Sequence, residues 1–318
     1  MIFARPSAAR RLPAVALALA LLLPAACSSG DIRRATDEFK GFVFNEDEAQ
    51  ANKTRKLMVI GDSWAQFLTS NHTFDHLLHD YGYPDYYAGS TALIGSKAYQ
   101  WAKPANLAAV TKLLIDRKDT SIVVLTIGGN DLIESWNTRL SPEQADREFE
   151  KIAAHVETIV RTLTLARPKL RIVILGYDYP NLVESLESGL SDANQGYYKR
   201  LGKPTPAQVN GAATALGRKI LAVAARVDRV EYVNNFGLMQ YVYGDPQRGL
   251  APNSVPFPGN HREEYRPFAG GRIDLPSPPE AMFQLPKFTD SIHLSGESYY
   301  YAGQNAMERY IDGWLKNE

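Results

Sequence analysis

Five short apolar runs, separated by stretches with helical spacing, constrain this chain more than any other feature: Lys56–Ile60, the tyrosine-rich 85–94, Ser121–Ile127, Leu170–Leu175 and Val230–Val233. SIVVLTI and LRIVIL are apolar and largely β-branched throughout, the mark of strands buried on both faces. Between and after the runs lie helical patterns at 64–80, 104–117, 141–166, 205–226 and 295–316. Pro104 suits a first helical turn, and Ser141-Pro142-Glu143-Gln144 reads as a helix cap. Alternation of this kind implies an α/β fold in three layers, α/β/α, with a parallel five-stranded sheet covered on both faces. Reactive groups in such folds collect at the carboxyl ends of the strands, near the reversal of strand order.

Three short segments fall where that rule places chemistry. Gly61-Asp62-Ser63-Trp64 follows the first run and opens a helix. A serine there sits at the sheet edge near the positive end of a helix. A plain turn in which Asp62 or Ser63 caps the helix would use the same residues. Gly128-Gly129-Asn130-Asp131 follows the third long-range run, and an asparagine there can aim its amide N–H at a developing oxyanion. A glycine-rich turn is the simpler reading of that segment alone. Asp290-Ser291-Ile292-His293 precedes the last helix, and its spacing lets a carboxylate fix the imidazole tautomer. The other ring nitrogen is then free to accept a serine proton.

Taken together, in the order Ser, Asn, Asp, His, these blocks resemble the SGNH, or GDSL, hydrolase superfamily across roughly residues 54 to 316. The resemblance implies a flavodoxin-like sheet and an acyl-transfer mechanism, with Ser63 as nucleophile and Asp290 and His293 as its partners. It implies an oxyanion hole built from the N–H groups of Ser63 and Gly95 and the side chain of Asn130. Gly95, in Ala92-Leu93-Ile94-Gly95-Ser96, fits the family's glycine block, with Gly89 as the rival. No metal and no organic cofactor is expected. Two departures stand out: Trp64 replaces the usual leucine after the serine, and residues 241–288 form a long Pro- and Gly-rich insertion. A segment of that length is functional or disordered in most domains, and its aromatic residues favour an ordered cover.

The start of the chain reads as an address. Arg5, Arg10 and Arg11 precede the apolar run Leu12–Leu23, then Pro24-Ala25-Ala26-Cys27. Basic, apolar and small residues in that order make a secretory signal, and the run is too short to span about 30 Å of hydrocarbon. Cys27 is the only cysteine of 318 residues, so no disulfide can form within the chain. Its position resembles the lipidated cysteine of a bacterial lipoprotein, although Pro24 stands where leucine is usual. Ser28 after it favours the outer membrane by the same resemblance. The expected organisation is a signal at 1–26, a polar tether at 27–53 and a hydrolase domain at 54–318. The protein would then be exported, periplasmic or lipid-anchored in the envelope.

Lys plus Arg and Asp plus Glu are both 35, so no basic excess points to nucleic acid. His72, His76 and His79 could share a helix face, but no carboxylate pattern completes a metal site, and a solvated face is expected. Tyr299, Tyr300 and Tyr301 are expected to pack the last helix. Trp101 and Trp136 fit either the substrate site or the core. Three functions fit: hydrolysis of lipid or short acyl esters, deacetylation or acyl transfer on an envelope polysaccharide, and a non-catalytic lipoprotein on a hydrolase fold. The partners are therefore a small-molecule or glycan ester, and a membrane through the N-terminal lipid.

Overall fold

A computed structural model of the chain describes residues 52–187, 192–259, 268–285 and 288–318. The signal and nearly all of the tether lie outside the described residues. The chain runs β1 (Thr54–Gly61), α1 (Ser63–Ser70), α2 (Thr73–Asp80), β2 (Tyr86–Ala92), α3 (Ala98–Trp101), α4 (Pro104–Asp116), β3 (Ile122–Thr126), α5 (Gly129–Ser135), α6 (Pro142–Ala166), β4 (Arg171–Leu175), α7 (Asp192–Arg200), α8 (Pro206–Arg226) and β5 (Val230–Val233). It ends with α9 (Leu238–Tyr243), the antiparallel pair β6 (Met282–Leu285) and β7 (Phe288–Leu294), α10 (Gly296–Ala306), a π-helical turn and α11 (Asp312–Lys316).

The five parallel strands stand in the order β2-β1-β3-β4-β5. The chain steps outward from β1 to β2, then returns across β1 to β3, so the order reverses between β1 and β3. The loops after these two strands diverge there and leave a crevice at their carboxyl ends.

Alternation within each strand feeds two cores. Met58, Ile60, Val123, Leu125, Ile172 and Ile174 face the layer containing α4, α6 and α8. Leu57, Val59, Ile122, Val124, Val173 and Leu175 face α1, α2 and α10. Both faces are dry, which is why the strand sequences show no polar alternation. The two longest helices begin with reciprocal caps, Ser141 with Gln144 and Thr205 with Gln208, each followed by proline.

The structure refines three expectations. The helix expected over 64–80 breaks into α1 and α2 at Asn71-His72, with His72 in the left-handed region at φ 49°. His72, preceding α2, bonds Asp75, and His79 bonds Asp80 at the surface. The final helix contains the π turn at Met307–Ile311. The segment 241–288 carries part of α9, two 3₁₀ turns and β6 among its described residues. Side-chain amides fasten it to the domain. Gln240 Nε2 donates to the carbonyls of Arg272, Leu275 and Pro276. Asn210 donates to Ile273 and Leu275, and Asn181 to Ser277. Asn234 reaches Gly259 and Phe268. The backbone here makes few ladder bonds, so amide side chains satisfy the carbonyls that strands would otherwise pair.

Candidate active site

β1 ends against β3 so closely that only glycine fits at its last position. A Cβ on Gly61 would lie 1.8 Å from the carbonyl oxygen of Thr126. The chain then turns, Asp62 caps α1 by accepting from the Trp64 N–H at 3.0 Å, and Ser63 becomes the first helical residue. Asp62 therefore does cap the helix, and in doing so leaves the Ser63 N–H among the unsatisfied donors of a helix start.

Ser63 Oγ lies 2.7 Å from His293 Nε2, and His293 Nδ1 lies 2.9 Å from Asp290 Oδ2. The other Asp290 oxygen accepts the N–H groups of Ile292 at 2.7 Å and His293 at 2.9 Å. All four atoms of the series are partly or wholly buried, with the His293 and Asp290 side chains 15% and 16% exposed. Burial alone would lower the imidazole pKa, but the charge and hydrogen bond of Asp290, with Asp62 further off, outweigh it and raise it above 6.5. Burial pushes the Asp290 carboxyl up, yet the His293 charge and the bonds it accepts hold it below its usual value. Phe67 stacks on the imidazole at 4.7 Å, fixing the ring plane.

Asn130, at the start of α5, donates from Nδ2 to the Ser96 carbonyl at 3.0 Å and stands 3.5 Å from Asp62 Oδ2. The second contact is at the limit of a hydrogen bond, so one amide hydrogen is firmly held and the other is available to a third acceptor. Gly95 sits in the exposed turn after β2 with φ 73°, a conformation suited to glycine. Gly89, its rival, lies inside β2 opposite Met58 and against Arg55, away from the carboxyl edge. The two loops are clasped together, because Asp131 Oδ2 accepts the Ala98 N–H at 2.8 Å while Asn130 holds Ser96.

Three contributors escape a reading of motifs. Tyr177, just past β4, donates to Asp62 Oδ2 at 2.5 Å. Burial raises the Asp62 carboxyl to about 6, against the lowering by Tyr177 and the Trp64 N–H. Ser96 holds Asn130 through its carbonyl and receives the Trp101 indole N–H on its hydroxyl. Trp64 donates its indole N–H to the Ile292 carbonyl at 3.1 Å, tying α1 to β7, which carries Asp290 and His293. Tyr177 follows a strand end, where the α/β argument places function, and that position is its sequence signal. Neither Ser96 nor the Trp64 bond has one, since each acts through a partner distant in sequence.

Beside Ser63 opens a cavity with an empty volume of about 930 Å³ including its mouth, bounded by the carboxyl ends of β3, β4 and β5 and by α5 and α8. Trp136 lines it, whereas Trp101 is enclosed in the core. Tyr299 is buried, and Tyr300 and Tyr301 bond Asp80 and Glu297. Among the described residues no cluster of His, Cys, Asp and Glu is arranged to hold a metal ion, and no helix is long and apolar enough to cross a membrane.

A hydroxyl, an imidazole and a carboxylate in series, at the reversal point of a parallel sheet, can carry acyl transfer. The chain belongs to the GDSL-like lipase/acylhydrolase family, which matches residues 57–305, and it is a carboxylic ester hydrolase. No curated protein matches it. Among solved structures it is similar to a family 3 carbohydrate esterase from Talaromyces cellulolyticus, with 11% identity, 83% of this chain and 100% of that one covered, and a TM-score of 0.48. It is similar to a lipase from a goat rumen metagenome at 8% identity, with 80% and 97% covered and a TM-score of 0.43. An acetyl xylan esterase from Geobacillus stearothermophilus gives 12% identity, 81% and 94% covered, and a TM-score of 0.41.

Proposed function

We propose that the chain is a serine-dependent ester hydrolase of the cell envelope that works through an acyl-enzyme on Ser63. The observation that carries this reading is the unbroken series from Ser63 Oγ through His293 to Asp290, with contacts of 2.7 and 2.9 Å. His293 Nε2 takes the Ser63 proton as Oγ attacks the ester carbon. The carbonyl oxygen becomes an oxyanion, held by the N–H groups of Ser63 and Gly95 and by the amide of Asn130. Collapse of the tetrahedral species expels the alcohol, which leaves with the proton from His293. Water then attacks the acyl carbon, again giving its proton to His293, and the acid departs as Ser63 regains its hydrogen. Asp290 keeps the imidazole in the tautomer with Nε2 free and supports the imidazolium.

Hydrolysis of p-nitrophenyl esters by residues 28–318 and by a Ser63→Ala variant tests the serine step. Turnover by the parent with loss of about 10³-fold or more in the variant is expected; equal activity of the two removes Ser63 from the mechanism.

The envelope assignment belongs to the same proposal. Its support is the basic-apolar-small order of 1–26 and the placement of Cys27. A lipidated Cys27, a tether through 53 and a catalytic domain from 54 onward would hold the site in water beside a membrane. Fractionation of cells expressing the full chain should find it with membranes, and Cys27→Ser should release it; a parent found only in the soluble fraction refutes the anchor.

A further inference from the structure

The wall of the cavity beside Ser63 is mostly apolar away from the serine, with the Tyr232 hydroxyl the exception. Ile127, Leu132, Trp136, Leu216, Ile220 and Phe236 supply apolar surface away from the serine. Asp62, Ser63 and Asn130 sit together at the serine end. Asp178 also reaches the wall, but its carboxylate is taken up by the N–H groups of Tyr179, Gly237 and Met239. A sugar placed here would lose water from its hydroxyls without matching partners, at a cost for each. A hydrocarbon chain would lose nothing polar.

The cavity also has a direction. Along α8 the lining positions run from Val209 to Ile220, which spans about 16 Å of helix, enough to lie alongside an extended chain of about ten carbons. Beside β5, three strands across the sheet from β1, stands Gly217, where a Cβ would lie 2.7 Å from the Phe236 ring, 3.1 Å from the Tyr232 hydroxyl and 3.3 Å from the Phe268 ring. Phe268 comes from the long insertion, whose backbone Asn234 grips at that residue. The insertion thus packs behind the Gly217 part of the wall.

We propose that this cavity is the acyl-chain site, and that the acid half of the natural ester is an unbranched apolar chain of medium length whose carbonyl is presented to Ser63. The inference rests on the serine-hydrolase reading above and specifies its substrate. Specificity would be set by α8 and by Phe236, with Phe268 packed behind Gly217.

Two measurements separate the inference from the reading beneath it. In the first, the full chain hydrolyses p-nitrophenyl esters from acetate to laurate. Expected is a rise in kcat/KM toward decanoate, up to about fourfold per added methylene. Ala213→Phe, which places a ring on the α8 wall, should lower the ratio of decanoate to acetate kcat/KM by more than about tenfold. Leu216→Ala, which opens the wall, should move the optimum to longer chains. In the second, the Ser63→Ala protein is titrated with decanoic acid and followed by tryptophan fluorescence, since Trp64 and Trp136 both line the cavity. Saturable binding that Ala213→Phe abolishes is expected. Acetate as the best substrate of a Ser63-dependent enzyme overturns the acyl site and leaves the serine mechanism standing. Turnover that survives Ser63→Ala overturns the mechanism, and the decanoate titration then decides the cavity alone: absent binding, or binding unchanged by Ala213→Phe, overturns it.

Discussion

His293 is held by Asp290 on one side and offered to Ser63 on the other, and its raised pKa has a kinetic signature. The base must be neutral to accept the serine proton, and a raised pKa keeps the proton on the ring to higher pH. The acid limb of kcat/KM should therefore have its midpoint above 6.5. Asp290→Asn removes the charge that opposes burial, so the limb should shift to lower pH while the rate falls on the order of 10³–10⁴-fold. A pH–rate profile of both proteins checks the shift, and an unmoved limb rejects Asp290 as its cause. Trp64 has a separate role. Trp64→Phe keeps a ring between Tyr177 and Tyr299 but loses the bond to Ile292. Loss of about 1 kcal/mol of positioning should lower kcat about fivefold with KM little changed. Steady-state kinetics that show a KM effect alone contradict this role.

Elements explain what the sequence could and could not disclose. The sheet was legible because strands buried on both faces must be apolar without alternation, a rule that holds for β3 except its last residue, Thr126, and for β4 from Ile172 onward. Ser63 and Asn130 follow the ends of β1 and β3, where the α/β pattern collects reactive groups, whereas Asp290 and His293, expected in a loop before the last helix, lie inside β7 and were marked only by their spacing. The break at Asn71-His72 was not, since apolar spacing continues through it: Phe67, Leu68, Phe74, Leu77 and Leu78 all reach the same core. The insertion was opaque for the opposite reason. Its order comes from Gln240, Asn210, Asn181 and Asn234, polar residues on other elements that periodicity treats as surface. Gln240→Leu leaves the buried Pro276 carbonyl and the Arg272 N–H without that partner, while the Arg272 and Leu275 carbonyls keep the Leu275 N–H and Asn210. The expected cost is about 1–3 kcal/mol, a fall in Tm of about 2–4 °C for each kcal/mol in a domain of this size, measurable by calorimetry. A Tm equal to that of the parent would mean the insertion is held by other contacts.

Across the whole molecule, buried titratable groups couple the site to stability. Asp62 takes a pKa of about 6 in the folded protein against 3.8 in the unfolded chain, so the folded state binds the extra proton between those values. Stability from this group is gained as pH falls through about 6 and is fully present below 3.8. The raised His293 acts in the same sense at higher pH, its contribution being present below 6.5 and lost as pH rises through its folded value. Asp290 and Glu157, both lowered, oppose them only in more acidic solution, where their carboxylates become protonated. Tm should accordingly be higher at pH 5.5 than at pH 8, and Asp62→Asn should flatten part of the difference; scans at constant ionic strength that show the reverse slope refute the assignment.

The hydroxyl and the imidazole that meet at 2.7 Å are separated by 230 positions along the chain. Ser63 is laid down with the first strand, whereas its base arrives with the last one, after all five parallel strands have been made. An unfinished polypeptide therefore carries the serine with no group to activate it and cannot attack esters around it. Turnover begins only when the final strand docks, so hydrolysis serves as a clock for completed folding, and a burst of product after refolding would time the closing step of the whole domain.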